Sequence, residues 1–202
     1  PIDSEELLAR VKTQVRKKRY LDALRARLDQ SMELAVTDQL TGLHNRRYMR
    51  VQLESYVKRA NMGGAPVSIL LCDIDHFKKI NDIHGHAAGD DVLREFGRRL
   101  RENIRPMDLA CRYGGEEFVV IMPETPQALA QSAGERIRQI MAETTFSVAR
   151  GDELKVTMSG GVSTIVPPED TMDALLKRAD DALYRAKSAG RNKVELEAIA
   201  FE

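Results

Sequence analysis

Arg112-Tyr113-Gly114-Gly115-Glu116-Glu117-Phe118 sets two carboxylates beside two glycines, between a short apolar run (Leu109 to Cys111) and a stronger one (Phe118 to Met122). Consecutive glycines between strand-like runs predict a tight hairpin turn. Strand alternation sends Glu116 and Glu117 to opposite faces, so one of the pair faces a given ligand. Gly114 and Gly115 leave the backbone bare enough for a large polyanion to approach. Alone, such a turn merely keeps a sheet edge soluble. A second cluster changes the balance: Pro66 to Asp75, PVSILLCDID, is a buried-strand pattern ending in carboxylates. If that strand lies beside the hairpin, Asp73 and Glu116 converge. Two carboxylates at adjacent strand ends make an oxygen-only site suited to a magnesium ion that also holds nucleotide phosphates.

The rest of the chain must position these groups. Residues 4–36 carry no glycine or proline; Leu7, Leu8, Val11 and Val15, then Leu21, Leu24, Leu28, Met32 and Ala35, alternate in spacings of three and four. That spacing predicts one long coiled-coil-like helix whose stripe needs a second copy or a further domain. A helix is predicted over 46–60, a strand ending at Asp73, a short helix over 76–81, a loop over 84–90 and an amphipathic helix over 90–104 with Asp90 and Asp91 at its positive end. After the hairpin, Thr125-Pro126 predicts a capped helix with a first-turn proline. Strands follow at 145–149 and 154–164, then a helix over 171–189 closed by Gly190, and a strand over 192–196. Alternating elements around an antiparallel hairpin give an α+β fold, a palm-like mixed sheet covered by helices.

Composition bounds the function. Thirty-one basic residues cancel thirty-one acidic ones among 202, which argues against a dedicated nucleic-acid or membrane binder. No apolar run reaches the length of a membrane span and no signal-peptide pattern opens the chain. Cys72 and Cys111 both fall in strand-like runs, as buried free thiols of a cytoplasmic protein do. The four histidines lack zinc spacing. A first residue of proline points to a fragment or a processed chain.

Several stretches together carry a family resemblance. RYGGEEF resembles the GGDEF signature of diguanylate cyclases, with glutamate at the third position, a variation that active members share. DQLTGLHNRR (38–47) is similar to the family's opening segment. DIDHFKKIND (73–82) with Gly85-His86 and Gly89-Asp90 is similar to its substrate segment, and Ala179-Asp180 to Ala186-Lys187 with Gly190-Arg191-Asn192 to its last helix. The resemblance covers about residues 37–196, and residues 1–11 resemble the final helix of a response-regulator receiver domain. It implies two parts: 1–36, the end of a receiver with a linker and dimerisation helix, and 37–202, the cyclase domain. One departure is Gly160, where the family usually places a large aliphatic residue; a loosened strand is expected there.

The resemblance implies that two GTP molecules are joined into cyclic di-GMP with release of two pyrophosphates, by a homodimer paired through the N-terminal helix. Asp73, Glu116 and the Ile74 carbonyl are expected to hold Mg2+ or Mn2+; Glu117 joins or tunes that site, and either glutamate can assist deprotonation. Phe77 and Lys78 at a helix start, with Lys187 and Arg191, are expected to hold phosphate. Asn81 and Asp90, with His86 nearby, are the expected guanine site, a carboxylate there accepting from guanine's adjacent N–H donors. Arg105 and Asp108 match the family's inhibitory RxxD site for product, with Arg136 and Arg59 in support. Two other readings compete: a catalytically silent receptor for cyclic di-GMP, and a cyclase with a different cyclic product. Intact Asp73, Glu116, Asn81 and Asp90 weigh against the first, Asp90 against the second.

Overall fold

The computed structural model describes residues 12–22, 35–148 and 151–198. Contacts divide the chain into two compact units, Pro1–Val36 and Thr37–Glu202. In the first, residues 12–22 are helical (α1) and exposed. The remainder of the expected 4–36 helix, apart from helical residues 35–36, lies outside the described residues.

The second unit is built on a six-stranded sheet in the order β1-β3-β4-β2-β7-β8. Its central strand β2 (Val67–Ile74) is buried at all eight positions, as its unbroken apolar run requires when both faces are covered. It runs antiparallel to β4 (Glu117–Pro123) on one side and β7 (Met158–Thr164) on the other. β3 (Leu109–Gly114) completes the hairpin with β4, β1 (His44–Asn45) adds to β3 in parallel, and β8 (Val194–Leu196) adds to β7 in parallel. Even positions of β2, such as Leu70 and Cys72, pack with Phe96, Phe118 and Ile137 under α4 (His86–Glu102) and α5 (Gln127–Glu143). Odd positions, Ile69 and Leu71, pack with Leu53, Val119 and Leu183 under α2 (Arg46–Asn61) and α6 (Met172–Ser188). The expected α+β mixed sheet is therefore present, with helices on both faces.

Several boundaries differ from expectation for identifiable reasons. The stretch 84–90 is not a loop: Gly85 (φ 84°) separates α3 (Phe77–His84) from α4, and α4 begins at His86. Asp90 thus lies inside the helix rather than at its cap. Pro126 is the N-cap of α5, not its first helical residue, while the Thr125 hydroxyl donates to the Pro123 carbonyl (2.8 Å). The single strand expected over 154–164 divides. Glu153–Leu154 (β6) instead pairs with Phe146–Ser147 (β5) as a separate two-stranded ribbon, and β7 starts at Met158. Gly160 lies within β7, paired on both sides, and the ends of Leu70, Val194 and Met158 occupy the space its side chain would fill. Its neighbour Gly161 serves a different purpose: a Cβ there would lie 2.0 Å from the Ala179 carbonyl oxygen, so this glycine lets α6 rest directly on the sheet.

Candidate active site

The hairpin turn consists of Gly115 and Glu116, not of the two glycines. Gly114 ends β3 beside a register shift, and Gly115 takes a left-handed φ of 50°. Glu116 therefore escapes strand alternation, and Glu117 is the first residue of β4, directly opposite Asp73 of β2. Opposed residues of an antiparallel pair project to the same face. The Ile74 N–H donates to the Glu116 carbonyl (3.3 Å), which ties the turn to the end of β2. Asp73, Glu116 and Glu117 thus gather at one end of the sheet, where sequence reasoning placed the first two and kept Glu117 open.

Arg112 holds this turn in shape. Its Nε and Nη2 donate to the Gly115 carbonyl at 3.0 and 2.8 Å, while Nη1 reaches the Asp38 carboxylate at 3.2 and 3.3 Å. Asp38 also accepts from the Thr41 amide and hydroxyl. Burial alone would raise the Asp38 pKa, but the Thr41 bonds and the Arg112 charge outweigh it and leave the carboxyl below its ordinary value. Sequence reasoning assigned neither residue a role, although opposite charges in two of the quoted motifs were a usable signal.

Asp73 is only 7% exposed and pairs with Lys187 of α6, Nζ to Oδ2, at 2.8 Å. Lys187, expected at phosphate, thus approaches the carboxylates themselves. Burial raises the Asp73 pKa, Lys187 opposes the shift, and Glu116 and Asp75 add to it. The Glu117 carboxyl is also raised, by burial and then by Asp73, with Lys187 opposing and Asp180 and Glu116 contributing further. Crowded carboxylates with raised pKa values are a site where added positive charge is stabilising. Asp73, Glu116 and the Ile74 carbonyl are hard oxygen donors, so a magnesium ion fits the set. Among the described residues no three His, Cys, Asp or Glu side chains stand in metal-binding geometry, so the three carboxylates are neighbours without forming a closed cage.

α3 follows immediately. His76 adopts a left-handed φ of 58° and offers no side-chain cap, so first-turn amides beside buried Phe77 and exposed Lys78 remain available to an anion. Asn81 of α3 packs against Gly89 of α4, the neighbour of Asp90, so closely that a Cβ on residue 89 would fall 1.9 Å from Asn81 Oδ1. Asn81 thus packs on the residue that precedes Asp90; Asn81 and Asp90 are both half-buried, and exposed His86 lies one turn before Asp90. Arg191 lies in the exposed turn after α6, at φ 63°.

The expected product site is assembled only in part. Arg105 and Asp108 form a closed turn: the Arg105 amide donates to Asp108 Oδ2 (3.0 Å) and the Asp108 amide to the Arg105 carbonyl (3.0 Å). Asp108 Oδ1 is buried without a hydrogen-bond partner. Among the described residues no hydrogen bond or ion pair joins Arg59 or Arg136 to this turn. Arg59 of α2 lies over the Tyr56 ring (4.6 Å), and Arg136 of α5 faces a groove beside Val194 on the opposite side of the sheet. Cys72 and Cys111 are buried free thiols, as expected; burial pushes both up, Cys111 to about 12. Among the described residues, no helix is long and apolar enough to cross a membrane.

Comparison with known proteins matches residues 35–193 to the diguanylate cyclase GGDEF domain. The chain is 63% identical over 195 residues to the response regulator PleD of Caulobacter vibrioides, which covers 96% of this chain and 43% of PleD. It is 41% identical over 174 residues to the diguanylate cyclase DgcP of Pseudomonas aeruginosa, 86% of this chain and 26% of that protein. The chain thus spans less than half the length of these relatives. Among solved structures, the coiled coil and GGDEF domain of DgcB from Caulobacter crescentus, in complex with c-di-GMP, superposes with a TM-score of 0.83 at 31% identity. That match covers 94% of this chain and 98% of the other. The active GGEEF domain of a Vibrio cholerae diguanylate cyclase superposes with a TM-score of 0.71 at 32% identity, over 80% of this chain and all of that one.

Proposed function

The chain belongs to the GGDEF-domain diguanylate cyclase family, and from that premise we propose that it condenses two GTP molecules into cyclic di-GMP as a cytoplasmic homodimer. The observation that carries this reading is the gathering of Asp73, Glu116 and Glu117 beside Lys187 at a bare glycine turn. Asp73, Glu116 and the Ile74 carbonyl would hold Mg2+ or Mn2+. When bound, the ion neutralises α-phosphate and leaving-group charge during phosphoryl transfer.

The chain's own residues supply the rest. The α3 N-terminus, with Phe77 and Lys78, binds the phosphate tail together with Lys187 and Arg191, while Asn81 and Asp90 accept and orient guanine. In each half-reaction, the 3′-oxygen of one GTP forms a bond to the α-phosphorus of the other. The α–β phosphoanhydride bond breaks, pyrophosphate leaves, and the hydroxyl proton passes to Glu116 or Glu117, either of which serves as base. Two such steps close the ring.

One protomer offers one such site, so two must face each other, each presenting one GTP. Residues 1–36, read as the end of a receiver and a linker, raise the effective concentration of that encounter. The likeness to a DgcB structure that includes its coiled coil supports this reading. Product inhibition at Arg105 and Asp108 is part of the proposal. The unpartnered Asp108 Oδ1 suits a guanine N–H donor; Arg59 and Arg136, which lie on opposite faces of the sheet, would reach product bound at this turn only from a partner protomer. A silent receptor would use this turn alone and would have no need of the carboxylate cluster.

The test is pyrophosphate release from GTP with magnesium across a protein dilution series. Specific activity that falls on dilution supports a dimeric cyclase; activity independent of concentration in a demonstrated monomer contradicts it.

A further inference from the structure

We infer that Asp75 is a positioning residue for the phosphate tail of the nucleotide, an inference that rests on the function proposed above. Asp75 is 4% exposed and lies two residues beyond Asp73. Its carboxylate accepts three hydrogen bonds: from the Thr157 hydroxyl (2.7 Å), the Ser159 hydroxyl (2.7 Å) and the Asn192 backbone N–H (3.0 Å). Its own amide donates to the Thr157 carbonyl (2.9 Å). One buried side chain therefore joins the end of β2, the entry to β7 and the turn after α6.

That turn needs such an anchor. Arg191 and Asn192 are both left-handed, at φ 63° and 45°. Two consecutive non-glycine residues in that region are unfavourable unless their surroundings hold them. The Arg191 amide donates to the Ala186 carbonyl (3.0 Å), and the Asn192 amide to Asp75; together these fix where Arg191 leaves the backbone. A second tie joins α6 to the same strand end, Lys187 to Asp73, but it uses a carboxylate that the proposed ion also requires. The Asp75 tie makes no such demand. It holds the Arg191 turn beside the carboxylates whether or not Lys187 is engaged there.

Three variants test this, with GTP and GMP binding measured by calorimetry. The unmodified protein should bind GTP more tightly than GMP. Asp75→Asn replaces one acceptor oxygen by a donor. It should weaken GTP about tenfold, the scale of one charge-assisted hydrogen bond, and leave GMP within about twofold. Asn192→Val alters an exposed position and so keeps the core intact if Asp75→Asn does not fold; a β-branched residue resists the left-handed φ, and the same selective loss is expected. Asn192→Gly accepts that φ and should retain the GTP preference. Equal weakening of GTP and GMP, or an unchanged ratio in both Asp75→Asn and Asn192→Val, would overturn the inference. Failure of the unmodified protein to prefer GTP would instead overturn the functional reading on which it rests.

Discussion

Gly89→Ala separates stability from nucleotide recognition. Gly89 is buried within α4, where alanine is intrinsically the better residue by about 0.8–1 kcal/mol. Its glycine is required by Asn81, whose Oδ1 would lie 1.9 Å from an added Cβ. Ordinary contact begins at 3.4 Å, so the amide must retreat by about 1.5 Å. Phe77 Cζ, at 3.2 Å, gives only slightly. An amide pushed off its rotamer costs about 0.5–1.5 kcal/mol, which nearly cancels the helical gain. The melting temperature should therefore barely move. Recognition should suffer more: a displaced guanine contact costs about 1–3 kcal/mol, or roughly a 5- to 150-fold rise in KM for GTP. In an Asn81→Ala background the same change should add little, because both act on one contact. The reasoning fails if KM is unchanged, or if the loss is fully additive with Asn81→Ala.

The remaining predictions concern the supports of the site. Arg112→Ala frees the Gly115 carbonyl and Asp38 and should lower stability by about 1.5–3 kcal/mol and turnover by up to about 100-fold. Arg112→Lys should recover little of either, since lysine lacks the planar fork; steady-state kinetics and denaturant melts decide. Gly161→Ala sets a methyl against α6 backbone and should cost about 3 kcal/mol or more, which lowers the melting temperature by roughly 6–12 °C. Gly160→Ala meets only side-chain ends and should cost about 1 kcal/mol or less. Asp170, held below its ordinary pKa of 3.8, is opposed by burial but dominated by hydrogen bonds and charge from Arg178. A depressed folded-state pKa stabilises above the unfolded value and is lost as pH falls through the folded one. Asp170→Asn should therefore lower stability near neutral pH and converge with the parent as the pH falls through the depressed pKa of Asp170; a gap that stays constant through acid would contradict this.

The sequence discloses what depends on local pattern. The unbroken apolar run of β2 required cover on both faces, and its end beside the hairpin brought Asp73 and Glu116 together. The start of α2 at Arg46 and the closure of α6 before left-handed Gly190 followed from local chemistry. What stayed hidden depends on distant partners. Gly89 reads as a loop residue because the reason for a glycine within a helix, the Asn81 amide, lies on another helix. Glu117 opposes Asp73 only because the turn falls one residue later than the glycine pair suggests. Asp75 carries no role in the sequence pattern, because its three donors lie 82 to 117 residues away. The β5–β6 ribbon turns at Gly151 (φ 81°), between the two expected strands; that Glu153–Leu154 pairs back on Phe146–Ser147 and not on into β7 is not visible in apolar alternation.

The most direct test of the proposed chemistry is chromatography of the products after GTP is incubated with the purified protein and magnesium, with Glu116→Gln in parallel. Cyclic di-GMP and pyrophosphate from the parent, and neither from the variant, are the expected result. A folded, dimeric parent freed of bound nucleotide that yields no cyclic di-GMP, or a Glu116→Gln variant as active as the parent, would contradict the account.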